Sequence, residues 1–401
     1  MGRFLFRTGA NIEAAPFLAP VFGFLGLLFF LPIVLFMWAA VDNSDLAKAI
    51  PQARAVLAEW DGSGLPPDAA AAALAADGYE LAKEPLAMGR FVRRMNFHVA
   101  GARTTLLRTF RALDETALPQ TVSELTALDP AWGERDLWLA LAQQSSSSIT
   151  PTFLLAAIDL SVDESGNLQR VPAERAIYLD VLLRTIWLSI VTTILAALLA
   201  YPAAYTLASA HDKREAILLS ILFISIWVSL LIKTLAWTVI FQKEGTMNQL
   251  MIAGGLIDGP IQLLRTRFAV LVGMVHMLLP FMILPIYSVM KRVPRNLFPA
   301  SLSLGAGPVR SFLRVYLPMT APGLAAGCTL VSVLALGFYV TPQILGGPQD
   351  QTTSYYVAFH TNKDVNWPLA SALGCWLIAV AVAISIAINW LARRVNPVRQ
   401  A

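Results

Sequence analysis

Long apolar runs separated by short polar segments dominate the chain. A helix needs about 20 apolar residues to cross a bilayer, and six runs reach that length: residues 16–41, 178–208, 217–240, 268–290, 320–342 and 369–392. An irregular backbone cannot cross, because lipid leaves its peptide groups without hydrogen-bond partners. The pattern therefore predicts an all-α polytopic membrane protein with six transmembrane helices.

One stretch between the first two runs departs from this pattern. Residues 42–177 have ordinary polarity and carry 12 Lys and Arg against 18 Asp and Glu. The Ala-rich segment from Asp68 and the spacing of Val99–Leu113 predict helices. The alternation in Leu160–Val171, around residues 164–167, predicts a β-hairpin. We expect a large, mostly helical insertion, and we find no metal-ligand spacing or catalytic constellation in its sequence.

The composition supports a membrane protein. Hydrophobic residues make up 56% of the chain and charged residues 14%, whereas a soluble domain has about 25% charged residues. Cys328 and Cys375 both lie inside apolar runs, so the sequence indicates no disulfide framework. The net charge of +4 comes from cations between the apolar runs, which the positive-inside rule explains without a nucleic-acid partner.

The cations of the short loops predict the orientation. If the N-terminus is cytoplasmic, the inner segments hold twelve Lys and Arg and the short outer loops hold four, which favours two cytoplasmic termini and an outer 42–177. The first run follows Arg3 and Arg7, as in a signal peptide. Its apolar core, from Ala15 to Val41, is about twice the length of a signal-peptide core. We therefore interpret it as an uncleaved anchor.

These boundaries predict four parts. Residues 1–41 form a cytoplasmic N-terminus with the first span, 42–177 form the outer domain, 178–392 contain the other spans, and 393–401 form a cytoplasmic tail. Residues 243–267 are too polar to cross, and we expect a short surface helix over Asn248–Ile257.

The longest inner loop, residues 291–319, contains the most informative motif. From Pro299 it reads Pro-Ala-Ser-Leu-Ser-Leu-Gly-Ala-Gly-Pro-Val-Arg-Ser-Phe-Leu-Arg-Val-Tyr-Leu-Pro. Gly305 and Gly307 allow a sharp bend between two short helices, and Pro308 suits the first turn of the second helix.

That second helix is amphipathic. Its apolar face carries Phe312, Val315 and Tyr316, and another face carries Arg310 and Arg314. Pro318 is expected to end it just before the next membrane run. A bent two-helix element on the cytoplasmic side has the shape to dock into a groove on a partner.

This loop resembles the EAA loop of type I ABC importer permeases: E-A-A, three residues, Gly, nine residues, I-x-L-P. Ala300, Gly305, Leu317 and Pro318 match in register, and Val315 stands in for Ile. Pro299 replaces the acidic residue, and Ser301 replaces the second alanine. The resemblance implies a loop that couples the chain to an ATPase, comprising Pro299, Ala300, Ser301, Gly305, Gly307, Arg310, Arg314, Val315, Leu317 and Pro318.

Other segments resemble the spermidine/putrescine permease branch of that family, namely residues 227–237, 245–248, 279–285 and 340–347. The resemblance covers residues 178–392. It implies one of two permease subunits of an ATP-driven, binding-protein-dependent importer in the bacterial inner membrane. The implied partners are a second permease, a cytoplasmic ABC ATPase dimer, a periplasmic solute-binding protein and the lipid bilayer. The implied solute is a polyamine or a related amine, while opine, phosphonate and amino-acid solutes stay open.

The chain is not expected to be an enzyme. It has no Gly-x-x-x-x-Gly-Lys-Ser/Thr sequence, so ATP hydrolysis is assigned to a separate subunit. We expect no cofactor or metal. Two other classes are the alternatives. A self-contained secondary transporter or channel would show paired intramembrane carboxylates or inverted repeats, and a membrane sensor would need a cytoplasmic output domain.

Four polar or aromatic residues in the spans are candidates for the translocation path: Lys233, Trp237, His276 and Tyr339. An intramembrane cation such as Lys233 is a functional candidate by default, although it could snorkel to the interface or pair with a partner subunit. His276 is also consistent with a hydrogen-bonded core histidine. Trp237 and Tyr339 suit either an aromatic belt or a cation–π contact with an amine. Asp180 is expected to pair with Arg184, four residues later.

Overall fold

A computed structural model describes residues 15–163, 167–294 and 296–395, and most of them are helical. The predicted all-α class is therefore confirmed in the described part of the chain. The contacts divide the described residues into two compact units, one within 1–155 and 364–372 and the other within 156–363 and 373–401.

Five helices of the described residues are long and apolar enough to cross a membrane: Pro20–Trp38, Tyr178–Ser209, Arg267–Met290, Pro308–Gly337 and Trp367–Arg394. A sixth span is obtained only if two helices joined by a 92° bend, Asp212–Trp227 and Leu230–Ile240, count as one. The third predicted run, 217–240, is thus not a straight helix.

The first unit begins with an apolar helical segment. It consists of α1 (Ala15–Leu25), a π-helical turn (Gly26–Phe30) and α2 (Leu31–Trp38). None of the residues Pro20–Trp38 is buried within the chain. Such a surface requires lipid or another protein around it.

A small helical domain follows. Its helices are α3 (Ser44–Ala49), α4 (Pro51–Leu57), α5 (Asp68–Ala82), α6 (Pro85–His98), α7 (Ala102–Ala112), α8 (Val122–Leu128), α9 (Arg135–Ser145) and α10 (Thr152–Ala156), with a 3₁₀ turn at Pro130–Gly133. The predicted helices at Asp68 and within 99–113 are confirmed. Asp68 does not cap its own helix; its carboxylate accepts a hydrogen bond from the Val122 N–H at 2.9 Å.

Large aromatic side chains form the core of this domain. Trp132 and Trp138 are fully buried, with ring centroids 5.0 Å apart. Their polar atoms are satisfied, because the Trp132 indole donates to the Thr109 hydroxyl and the Trp138 indole donates to the Trp132 carbonyl, both at 2.8 Å. A buried indole without such a partner would cost free energy.

The predicted hairpin is confirmed and lies at the start of the second unit. Strand β1 (Leu160–Val162) pairs antiparallel with β2 (Leu168–Arg170). The turn is predicted at residues 164–167, of which 164–166 lie outside the described residues. Asp159, just before β1, accepts hydrogen bonds at 2.8–3.2 Å from the N–H groups of residues 177–179. It thereby satisfies donors at the start of the next helix that the helix cannot pair itself.

The second unit contains the remaining helices. They are α11 (Tyr178–Ser209), α12 (Asp212–Trp227), α13 (Leu230–Ile240), α14 (Thr246–Ala253), α15 (Arg267–Met290), α16 (Leu297–Ser303), α17 (Pro308–Ser311), α18 (Leu317–Gly337), α19 (Val340–Leu345) and α20 (Thr353–Asn362), with a π-helical turn at Phe312–Tyr316 and a 3₁₀ turn at Pro348–Asp350. The last helix, α21 (Trp367–Val395), has residues in both units. The surface helix expected over 248–257 is α14, which begins and ends earlier.

Helices α11, α15 and α18 pack against one another as the centre of this unit. Close approach depends on small residues: a Cβ at Gly323 would lie 2.8 Å from the Val289 Cβ, and one at Gly327 would lie 2.8 Å from the Met282 Sδ. The Ser189 hydroxyl donates to the Ser332 carbonyl at 2.8 Å. Small residues and interhelical hydrogen bonds are the usual means of association in lipid.

The expectation that Pro318 ends the second loop helix is wrong. The helix that begins at Pro308 continues through the π-helical turn and α18 to Gly337. Within the turn, the Leu317 N–H bonds to the Phe312 carbonyl, five residues earlier. This wider turn changes the hydrogen-bond register just before Pro318, which has no N–H to donate. A proline in the first turn of α18 is therefore tolerated.

Candidate functional site

The loop singled out in the sequence forms a bent element between α15 and α18. Helix α16 ends at Ser303, and α17 begins at Pro308. Gly305 has φ +87°, a conformation that side-chain-bearing residues rarely adopt, whereas Gly307 has φ −66°. A Cβ would meet no atom within 4 Å at either position. Only Gly305 therefore requires glycine, and the reason is its backbone conformation rather than space.

The bend exposes apolar side chains that the sequence analysis missed. Leu304 is 89% exposed, Val309 71% and Leu313 53%. Arg310 and Arg314 are also exposed, as are Pro299 and Ala300, while Ser301, Val315, Leu317 and Pro318 are partly buried. Exposed apolar side chains with cationic side chains beside them, at a bend between helices, are typical of a surface that binds another protein. Their signal in the sequence was weak, because an isolated leucine or valine resembles a core residue.

A cavity of about 520 Å³ lies behind this bend. Its wall includes the aromatic rings of Tyr201, Tyr205, Phe298, Phe312 and Tyr316. Three ring pairs meet edge-on, among them Tyr205 and Tyr316 with centroids 5.6 Å apart, and Phe312 stacks on Tyr316. Because Phe298 belongs to α16 and Tyr316 to the π-helical turn, the cavity touches both arms of the bent element.

A carboxylate links α12 to the end of α15. The Glu215 side chain accepts from the Lys291 ammonium and from the Tyr287 hydroxyl. Glu215 lies in the first turn of α12, where a negative charge interacts favourably with the helix dipole. This contact leaves no pattern in the sequence, because its partners lie more than 70 positions apart.

The structure brings three of the four candidate path residues into one region. The Trp237 indole donates to His276 Nδ1 at 3.1 Å, which joins α13 to α15. Lys233 lies one turn before Trp237 on α13, and its ammonium donates to the Ser225 carbonyl near the end of α12. Tyr339 is 38% exposed and immediately precedes α19, which packs against α13 and α15.

These contacts favour a structural role for Lys233. A helix end leaves backbone carbonyls without partners, and the Lys233 ammonium satisfies one of them on the α12 side of the 92° bend. His276 accepts a hydrogen bond in the manner of a core histidine, although its ring is exposed on the surface of this single chain.

Further ion pairs lie at the ends of the spans opposite to Glu215 and Lys291. The expected Asp180–Arg184 pair is confirmed, and Arg184 also donates to the Gln351 carbonyl at 3.3 Å. Arg267 pairs with the buried Asp350 at 3.2 Å. Among the described residues, no group of three His, Cys, Asp or Glu side chains could hold a metal ion.

Comparison with known proteins adds a family and several relatives. The family model described as "binding-protein-dependent transport system inner membrane component" matches residues 193–397. The spermidine/putrescine transport system permease protein PotB of Haemophilus influenzae is 30% identical over 254 residues, 61% of this chain and 88% of that protein. The protein of the same name in Escherichia coli is 30% identical over 218 residues, 54% of this chain and 79% of that protein.

Among solved structures, a bacterial ABC transporter involved in the import of the acidic polysaccharide alginate matches with a TM-score of 0.44 and 18% identity. That match covers 54% of this chain and 79% of the other. A likeness of this degree says nothing about the solute.

Proposed function

The chain belongs to the family of binding-protein-dependent transport system inner membrane components, and from this premise we propose that it is the permease subunit of an ABC importer for a polyamine or a related amine. The family match supports the importer class, and the two PotB relatives support the solute. At 30% identity, opine, phosphonate and amino-acid solutes are the alternatives that an uptake assay must compare.

The proposed topology has six spans, with the bent pair α12 and α13 as the third. Both termini are then cytoplasmic, and residues 42–177 form a periplasmic domain. The cations of the short loops support this orientation. The predicted boundaries at 41, 177 and 392 stay a proposal, and so does the assignment of 291–319 to the cytoplasmic side.

The observation that carries the proposed mechanism is the bend at Gly305 with exposed Leu304 and Val309 at its tip. We assign this bend, with the ten motif residues from Pro299 to Pro318, to a groove on a separate ABC ATPase. Since the helix from Pro308 runs without a break into α18, a push on the loop would move a whole span as a lever. The spans would then rock, together with a second permease, between outward-open and inward-open states.

The test is to replace Gly305 by proline in the assembled importer. Proline fixes φ near −65°, which is incompatible with the φ of +87° at this position. We expect loss of ATP-driven spermidine uptake into proteoliposomes and weaker co-purification of the ATPase, with membrane insertion unchanged.

Gly307→Ala is the matched control, because φ −66° and open space accept a side chain there. It should keep uptake near the wild-type rate. Wild-type uptake by Gly305→Pro would exclude the coupling role. Uptake or ATP hydrolysis by the isolated chain would instead favour a self-contained transporter.

For the translocation path we propose that Trp237 and Tyr339 bind the ammonium groups of the solute. A cation over an aromatic ring gains about 0.5–2 kcal/mol, which corresponds to a change in KM of about 2- to 30-fold. In this proposal, His276 positions the Trp237 ring through its hydrogen bond, and Lys233 stabilises the bend between α12 and α13.

Trp237→Leu should therefore raise the KM for labelled spermidine, and Trp237→Phe, which keeps a π face, should restore most of the affinity. Trp227 is 87% exposed in this chain, so Trp227→Leu is the control and should leave KM unchanged. An unchanged KM in Trp237→Leu would remove this residue from the path.

A further inference from the structure

The aromatic cavity behind the bend has the dimensions of a ligand site. Its volume of about 520 Å³ lies within the range of about 300–1,000 Å³ that is usual for small-molecule pockets. It extends along α11 from Tyr201 to Ser209. Eight residues of helix correspond to about 12 Å, so the cavity penetrates from the end of a span well into it.

The two ends of the cavity differ in chemistry. At the deep end, the wall consists of Tyr201, Phe312 and neighbouring rings. At the mouth, Lys291 lines the cavity, and the exposed Arg292 follows it directly in the chain. Lys291 is neutralised in part by Glu215, whereas Arg292 has no ion pair within the described residues. Arg292 is not itself part of the wall, but its chain neighbours Lys291 and Val293 both line the cavity, so its charge adds a cation at the rim, while rings line the interior.

Charge complementarity identifies the occupant. A polyamine would be repelled by the cations of the mouth, and a small soluble anion would leave the aromatic interior unused. An amphiphile with a negative headgroup satisfies both ends, and basic pockets at the cytoplasmic ends of spans suit lipid headgroups. We propose that this cavity binds an anionic phospholipid of the membrane, with its phosphate at Lys291 and Arg292 and an acyl chain against Tyr201 and Phe312.

A bound lipid would also brace the bent element. Phe298 lies on α16, and Phe312 and Tyr316 lie on the π-helical turn, so an acyl chain in the cavity would contact both arms of the bend. This effect on transport rests on the proposed function, whereas the binding of lipid rests only on the proposed cytoplasmic placement of residues 291–319.

Native mass spectrometry of the full chain tests the binding directly. The chain, purified in detergent, is titrated with phosphatidylglycerol, phosphatidylcholine and glycerol 3-phosphate. We expect retention of phosphatidylglycerol, weak retention of phosphatidylcholine, and no competition by glycerol 3-phosphate, which lacks the acyl chains. Arg292→Gln should weaken binding of phosphatidylglycerol about fivefold, the loss expected for one interfacial cation.

Two further variants make the test specific. Ser209 is exposed and lines the cavity, so Ser209→Trp should block the mouth and abolish retention. Arg214 is an exposed cation near the start of α12, and neither of its chain neighbours lines the cavity, whereas both neighbours of Arg292 do. Arg214→Gln should therefore retain phosphatidylglycerol like the wild type. Equal retention by the wild type, Arg292→Gln and Ser209→Trp would overturn the proposal.

Spermidine uptake in proteoliposomes with and without phosphatidylglycerol separates this inference from the proposed function. Lipid retention in an importer that does not transport spermidine would uphold the site and reject the solute. Normal spermidine uptake by a chain that retains no lipid would reject the site alone.

Discussion

The cores of the two units are built from different side chains. In the helical domain of the first unit the largest fully buried residues are Trp132, Trp138, Phe91 and Phe110. In the second unit, α11, α15 and α18 meet through alanines, glycines and methionines, and buried hydroxyls such as Ser189 and Thr320 bond across the helices. Aromatic bulk stabilises one core, and close backbone approach stabilises the other.

With residues 42–177 outside the membrane, as proposed above, the surrounding solvent explains this difference. A domain in water gains free energy from each apolar surface that it buries, so large rings contribute most. Between spans in lipid that gain is small, because lipid tails are as apolar as the side chains. Stabilisation there depends on fit and on hydrogen bonds. The outer faces of the spans confirm the contrast, since large apolar residues such as Leu198, Ile221 and Ile386 are highly exposed within this chain.

Removing a core indole is the most direct test of the difference between the two cores. Trp138→Ala should destabilise the helical domain by about 3–5 kcal/mol, the usual cost of such a cavity. Hydrogen exchange of the α7 and α9 amides in the full chain measures this loss. Leu86 is 81% exposed, and Leu86→Ala should change exchange little. A small effect of Trp138→Ala would show that the two cores do not differ in the way proposed.

A buried imidazole makes the same domain sensitive to pH. Burial, together with the smaller effect of the nearby Arg94 charge, lowers the pKa of His98 from 6.5 to about 4. Since the unfolded chain then binds the proton more tightly, the stabilisation is complete above pH 6.5 and is lost as the pH falls towards 4. The linked loss is about 3 kcal/mol. Hydrogen exchange at pH 7 and pH 4.5 should show it, and His98→Gln should remove this part of the pH dependence.

A methyl group added between spans should have the smallest of these effects. Gly323→Ala places a Cβ 2.8 Å from the Val289 Cβ, and overpacking of this kind costs about 1–3 kcal/mol. Gly337→Ala, on the same helix, meets no atom within 4 Å and should be tolerated. Thermal denaturation in detergent distinguishes them. Equal melting temperatures for the two variants would mean that close approach of α15 and α18 is not required.

Local patterns were enough to predict much of the fold. Apolar length predicted the spans, a helix-start signal predicted α5, helical spacing predicted α7, and alternation around turn residues predicted the β1–β2 hairpin. The candidate loop was also visible, because the spacing of Gly305 and Pro318 is a property of the chain itself. The sequence could not show that Gly305 requires glycine while Gly307 does not, since their φ angles depend on how α16 and α17 are held.

Other features depended on contacts between distant positions. The run over 217–240 reads as one span, yet it breaks at a 92° bend, where Lys233 satisfies a carbonyl of the preceding helix. The link between Trp237 and His276 joins residues 39 positions apart, and the pairing of Glu215 with Lys291 joins residues 76 positions apart. Neither contact leaves a pattern in the sequence.

The sequence by itself determined that this protein is helical, membrane-embedded and equipped with a bent basic loop, because hydrophobic length, charge bias and glycine–proline spacing act over a few neighbouring residues. Only the tertiary structure decided that the loop helix passes through Pro318 into a span and that five rings line a cavity behind it. A π-helical turn and a cavity wall arise from the packing of several helices at once, and no single segment encodes that packing.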